Sequence, residues 1–141
     1  LIGFHELGHM YASAYGASFP NKWTYEFVAT YLAYFYLDQH HQAERDIWME
    51  VSNILEREIT PRYTSLRDFE QMYVQVGVEN YAWYQVIFLL RVQELYEQQG
   101  NSFVADFKNH PWNSVSASEY LDEMEQLAPG FRHWAQKYGL Q

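Results

Sequence analysis

The sequence contains no cysteine. That excludes a disulfide framework, a thiolate nucleophile and thiolate metal ligands, so any bound metal must be held by histidine and carboxylate groups. The same absence does not choose a cellular compartment. Positive charge is also scarce: 9 Lys and Arg stand against 18 Asp and Glu, for a net charge of -9. Such a surface repels phosphate backbones and anionic lipid, which argues against nucleic-acid partners and membrane surfaces. Long apolar runs are missing too. The longest, Phe27 to Leu37, is broken only by Thr30 and falls far below the roughly 20 residues of a membrane span. No segment alternates cleanly enough to be read as a strand.

Aromatic residues, by contrast, are abundant, with 13 Tyr, 9 Phe and 5 Trp in 141 residues. A chain this rich in large apolar groups can bury enough surface to offset the entropy of ordering, so it folds. Its length is that of one domain. The chain opens on Leu1, carries no signal peptide, and reaches its most informative motif within four residues. It is therefore expected to be a piece of a longer protein, whose targeting signals are not legible here.

Nearly everything reads as helix. A first helix covers residues 1 to about 15, followed by a loop over Gly16–Asn21 marked by glycine and proline. A second runs from about Lys22 or Trp23 to Asp38 and is apolar on almost all sides, hence buried on almost all sides. A third spans about Gln42 to Glu58, with Ile47, Val51, Ile54 and Leu55 on one stripe and charges opposite, and ends at Thr60-Pro61. Ser65 and Asp68 form a capping pattern that opens a short helix. A long helix is expected from about Glu79 to Gln99, closed by Gly100. Short helices follow at Ser102–Lys108, Glu119–Leu127 and Gly130–Tyr138. Asn109-His110-Pro111-Trp112 reads as a loop anchored by Trp112. The expectation is one all-α helical domain over 1–141, with zinc-binding helices in 1–38 and a C-terminal helical part in 39–141.

The chemistry lies at the start. His5 and His9 are four residues apart, so on a helix they occupy one face, one turn apart, where two neutral imidazoles can share a tetrahedral Zn²⁺. Glu6 lies about 100° around the helix from His5. There it can sit beside the metal without ligating it and act as general base on the activated water. Gly8, between the two histidines, leaves room for close approach of another backbone. A third ligand on a second helix requires a carboxylate shortly downstream, and only Glu26 and Asp38 offer one before the charged third helix. Glu26 sits among Trp23, Tyr25, Phe27 and Val28, where a carboxylate is costly unless paired or bound to metal. The alternative is an arginine partner, the nearest in sequence being Arg45.

His5-Glu6-Leu7-Gly8-His9 followed by Trp23-Thr24-Tyr25-Glu26-Phe27-Val28-Ala29-Thr30-Tyr31 resembles the gluzincins, the thermolysin- and aminopeptidase-like zinc metallopeptidases. Their third ligand is a Glu in a W-x-x-E-x-x-A-x-Y type helix. The likeness covers residues 1 to about 37, and it rests on two motifs in the family's order and separation. It implies that His5, His9 and Glu26 hold Zn²⁺, that Glu6 is the base, and that the substrate is a peptide or protein. Two positions depart from the pattern. Tyr25 stands where many relatives have Asn, and Thr30 stands where thermolysin-like enzymes carry an Asp that orients the first histidine. More weakly, the resemblance places an oxyanion-stabilising tyrosine near the start of the long helix. Tyr84 fits first, then Tyr81, then His110 or His133, although the Lys-Gly pair expected just after that tyrosine is missing.

In the family a β-subdomain precedes the zinc helix and its edge strand binds substrate. Such a subdomain is expected to pack on this chain, and nothing in these residues supplies the strand. The chain is accordingly expected to bind zinc while showing little or no peptidase activity alone. Two rival readings are a catalytically inactive helical binding or structural module derived from a peptidase fold, and a zinc hydrolase for a non-peptide amide. His40-His41 read as a solvated helix end, and Asp122, Glu123 and Glu125 as a solvated helix face.

Overall fold

A computed structural model of the chain describes residues 2–14, 16, 18, 19, 21–110 and 119–139. The described residues form eight α-helices and one 3₁₀ turn, with no strand among them. In chain order the helices are α1 (Ile2–Ala14), α2 (Lys22–His40), α3 (Gln42–Glu58) and α4 (Leu66–Met72). The 3₁₀ turn Tyr73–Val76 leads to α5 (Val78–Gln99), α6 (Asn101–Asn109), α7 (Tyr120–Leu127) and α8 (Phe131–Lys137). The all-α expectation holds. No helix among the described residues is long and apolar enough to cross a membrane. Of the expected loop Asn109-His110-Pro111-Trp112, Asn109 ends α6 and His110 follows it, while Pro111 and Trp112 lie outside the described residues.

Helix α2 is the axis of the fold. Trp23, Phe27, Val28, Ala29, Tyr31, Ala33, Tyr34 and Leu37 are all buried, on every side of the helix, as its sequence requires. It runs beside α5 in the same direction: Glu26 near its start meets Tyr81 and Gln85 of α5, and Asp38 near its end meets Tyr96. Helix α1 lies antiparallel on α2, with His5 opposite Thr30 and Phe4 opposite Tyr36. The remaining helices wrap aromatic side chains around this pair. Phe131 stacks on Trp23 at 5.8 Å, and Phe103 packs against Tyr31 at 4.4 Å. Each such ring pair adds about 0.5–1.5 kcal/mol beyond the area it buries.

Local signals place most helix ends. Ser65 Oγ accepts from the Asp68 backbone N–H at 3.1 Å and opens α4, as the capping pattern predicts. Gly100, at φ 53°, closes α5. Asn80, buried at the start of α5, binds the backbone of Arg62 and Tyr63 with both ends of its amide and pins the loop before α4.

Helix α3 departs from the expected arrangement. Its stripe of Ile47, Val51 and Ile54 faces solvent, at 56%, 44% and 43% exposure, while Met49 and Ser52 are the residues it buries. Arg45 of the same helix pairs with Asp38 of α2. Asp122, Glu123 and Glu125 are likewise not a plain solvated face. Asp122 pairs with Arg132 and Glu123 with His110, while Glu125 accepts from the backbone N–H groups of Gly130 and Arg132.

Candidate metal centre

The close approach of α1 to α2 builds the site, and Gly8 permits it. A Cβ at Gly8 would run into the carbonyl of Ala29 and lie 2.8 Å from the Ala29 Cα. With hydrogen alone at that position, the histidine face of α1 settles directly over the first turns of α2. The structure thereby brings His5, His9 and Glu26 together, each with one ligand-capable atom within 4.8 Å of the others. His5 Nε2 lies 3.0 Å from Glu26 Oε2, His9 Nε2 lies 3.1 Å from His5 Nε2, and His9 Nε2 lies 3.6 Å from Glu26 Oε1. Four ligands at ~2.0–2.1 Å from a tetrahedral ion stand about 3.3 Å apart, so these three separations match the edges of such a site. Two imidazoles and one carboxylate are also the donor set that zinc accepts with a fourth position left open.

Glu26 is 1% exposed. Its ion-pairing neighbours within 4 Å are His5 and His9, and no lysine or arginine reaches it among the described residues. Arg45, the alternative partner raised by the sequence, is committed to Asp38 and Asp46. Burial pushes the Glu26 carboxyl up, but bonds from His5, His9, Tyr73 and Gln85 outweigh it and hold the group well below the ordinary carboxylate range. The bond to Glu26 in turn raises His9 above the usual imidazole value, against the effect of burial and with further help from the charge of Glu6. The cluster draws positive charge, which a proton or a divalent cation can supply.

Thr30, one turn after Glu26 on α2, faces His5. Its hydroxyl donates to the Glu26 carbonyl at 2.8 Å, and Oγ1 lies 3.3 Å from His5 Nδ1. With its proton committed to the carbonyl, Oγ1 can only accept from His5 Nδ1–H, and this contact turns the Nε2 edge of the ring toward Glu26 Oε2, 3.0 Å away.

Two members of the cluster, His9 and Glu26, line an open cleft of about 510 Å³ together with Glu6, Lys22, Tyr25, Tyr73 and Tyr81. Glu6 is exposed at the lip, beside the ligands and not among them. Lys22 ties the start of α2 to α4, donating from its backbone to the Glu70 carboxylate and from its ammonium to the Glu70 carbonyl. Tyr73 sits at φ 49°, the one non-glycine residue in the left-handed half of φ space among those described. A conformation so unfavourable, costing about 1–3 kcal/mol, persists only when its surroundings hold it. Here they do: the ring packs on Phe69 and the hydroxyl donates to Glu26 Oε1 at 2.5 Å. Burial and the neighbouring carboxylate push the Tyr73 hydroxyl up to about 12.

Tyr84, the first choice for an oxyanion donor, is not brought to this cleft. It is fully buried, and its hydroxyl donates to the Ser65 carbonyl at 2.7 Å, holding α5 to the start of α4. Tyr81, the second choice, does reach the cleft, and its hydroxyl donates to Glu26 Oε2 at 3.0 Å. His110 and His133 do not line it. Sequence reasoning missed Tyr73 and Gln85 altogether. The spacing of Tyr81 and Gln85, one helical turn apart on α5, was the available sign for the latter. No family model, curated protein or solved structure matches the chain.

Proposed function

We propose that this chain carries the metal centre of a zinc-dependent hydrolase acting on peptide bonds, of the gluzincin type its motifs resemble. The observation that carries the reading is the convergence of His5, His9 and Glu26 from two helices, with Glu6 free at the lip of the same cleft. Zinc held there would supply Lewis acidity toward the scissile carbonyl. Glu6, on the solvent side of His9, takes a proton from the attacking water at its carboxylate and returns it to the leaving amine. Thr30 orients His5 with its Nε2 edge toward the cluster. Three tyrosines, Tyr25, Tyr73 and Tyr81, line the cleft, and the hydroxyls of Tyr73 and Tyr81 are committed to Glu26, so Tyr25 is the one whose hydroxyl proton is not given to the Glu26 carboxylate. The outer face of α1, with Met10 and Tyr11 at 67% and 57% exposure, offers a surface on which a preceding subdomain could supply the substrate-binding strand.

The test is Glu6→Gln in the natural full-length protein, assayed with zinc content and with turnover of quenched fluorescent peptides. Zinc stays stoichiometric and turnover falls by about 10²–10⁴-fold, the contribution of a positioned general base. A zinc-loaded protein that cleaves no peptide, or a Glu6→Gln variant as fast as wild type, overturns the reading.

A further inference from the structure

Three side chains from outside the two ligand-bearing helices close on Glu26. Tyr73 donates to Oε1 at 2.5 Å, while Tyr81 and Gln85 donate to Oε2 at 3.0 and 2.8 Å. They approach from two elements: Tyr81 and Gln85 from successive turns of α5, and Tyr73 from the 3₁₀ turn after α4. Phe69 packs against both tyrosine rings, at 5.5 Å from Tyr73 and 5.9 Å from Tyr81, and fixes them relative to one another. A carboxylate offers about four lone-pair directions. Tyr81 and Gln85 occupy both directions of Oε2, against which His5 Nε2 also lies at 3.0 Å, and Tyr73 occupies one of Oε1, so the direction left open belongs to Oε1, 3.6 Å from His9 Nε2.

We propose that Tyr73, Tyr81 and Gln85 are positioning residues that hold Glu26 as a one-oxygen ligand aimed at the histidine pair, and thereby set the site's affinity and preference for a small, four-coordinate divalent ion. The inference rests on the zinc reading above. A carboxylate free to turn could offer both oxygens and favour the larger coordination shells of calcium. One clamped on its other lone pairs cannot, so the three donors select for zinc over calcium as well as strengthening its binding. Gln85 separates this role from substrate contact, because it touches Glu26 without lining the cleft.

The experiment compares wild type with Gln85→Leu, Tyr81→Phe and Tyr73→Phe. Zinc affinity is read by competition with a chromophoric chelator, ligand geometry by the visible spectrum of the cobalt-substituted protein, and folding by thermal unfolding of the metal-free form. Each variant is expected to bind zinc about 10–100-fold more weakly, as supporting partners of metal ligands do, with a shifted cobalt spectrum and a smaller zinc-over-calcium ratio. Variants that unfold at lower temperature yet keep zinc affinity within about threefold of wild type and an unchanged cobalt spectrum would mean a merely structural role and overturn the proposal. Zinc bound by wild type without peptide cleavage would remove the hydrolase reading and leave this one standing. Cleavage with unaltered metal affinity in Gln85→Leu would do the reverse.

Discussion

Helix α2 carries two inward-facing carboxylates, one near each end, about 18 Å apart by helical rise. Both accept from tyrosine and glutamine side chains, Glu26 from residues far along the chain and Asp38 from Tyr96 and from its own neighbour Gln39. Asp38 accepts from Tyr96 at 2.7 Å and from Gln39 at 3.1 Å, and it is paired with Arg45. Glu26 accepts from Tyr73, Tyr81 and Gln85 but has two imidazoles where Asp38 has a guanidinium. That single difference separates a structural cluster from a site. At Asp38 the charge is neutralised within the protein, and the pair joins α2 to α3. At Glu26 the charge is more deeply buried and its partners are neutral donors or titratable rings, so a proton or a divalent cation can balance it.

The largest effect expected from this contrast is on metal content. Glu26→Ala should abolish stoichiometric zinc, whereas Asp38→Asn should leave it unchanged, both read by elemental analysis after dialysis. Zinc retained by Glu26→Ala, or lost from Asp38→Asn, would erase the distinction. Next in size is the packing that creates the Glu26 site and has no counterpart at Asp38. Gly8→Ala forces a methyl group against the Ala29 backbone, which cannot move aside as a side-chain end can. It should cost about 3 kcal/mol in urea unfolding, at the upper end of overpacking penalties. Because α1 must then lift from α2, it should also cost zinc binding. A Gly8→Ala protein with wild-type stability would show that the helices do not approach this closely.

A smaller effect is expected at Thr30. Thr30→Val keeps the shape and removes the oxygen that orients His5, so zinc affinity should fall by about tenfold with little change in the fold. Chelator competition measures it, and an unchanged affinity would assign the orientation of His5 to another group.

How much of this was legible beforehand follows from the same contrast. The convergence of His5, His9 and Glu26 was readable because each rests on local information: the histidine pair on helical spacing, and Glu26 on being charged inside a helix that is apolar all round. Gly8 was readable because a glycine between two such histidines has a steric use. The partners of Glu26 were not, since they lie 47, 55 and 59 residues away along the chain. Tyr73 arrives through a positive φ that no residue pattern announces for a tyrosine. Tyr81 and Tyr84 differ by about 60° around α5, and a helix buried over most of its surface carries no sequence mark for which of them faces the cleft. The exposed stripe of α3 was misleading for a related reason. Amphipathic periodicity identifies an apolar face, but not whether another part of the chain packs against it.

The smallest expected effect tests Asp38 as the charge-balanced member of the comparison. Burial raises its carboxyl, but bonds from Tyr96 and Arg45 outweigh this and lower it from the usual 3.8. A carboxylate whose folded pKa is lowered contributes stability that is present above its unfolded value and disappears as pH falls through the folded one. Asp38→Asn should therefore destabilise the metal-free protein by roughly 1 kcal/mol near neutral pH, because the pair is partly solvated and screened. The deficit should shrink below about pH 4, as the wild-type carboxylate is itself protonated. Urea unfolding of both proteins at neutral pH and at about pH 3 measures the difference. A deficit that stayed constant across that range would mean that Asp38 acts through shape and hydrogen bonding alone, and the contrast of its charge with that of Glu26 would lose its basis.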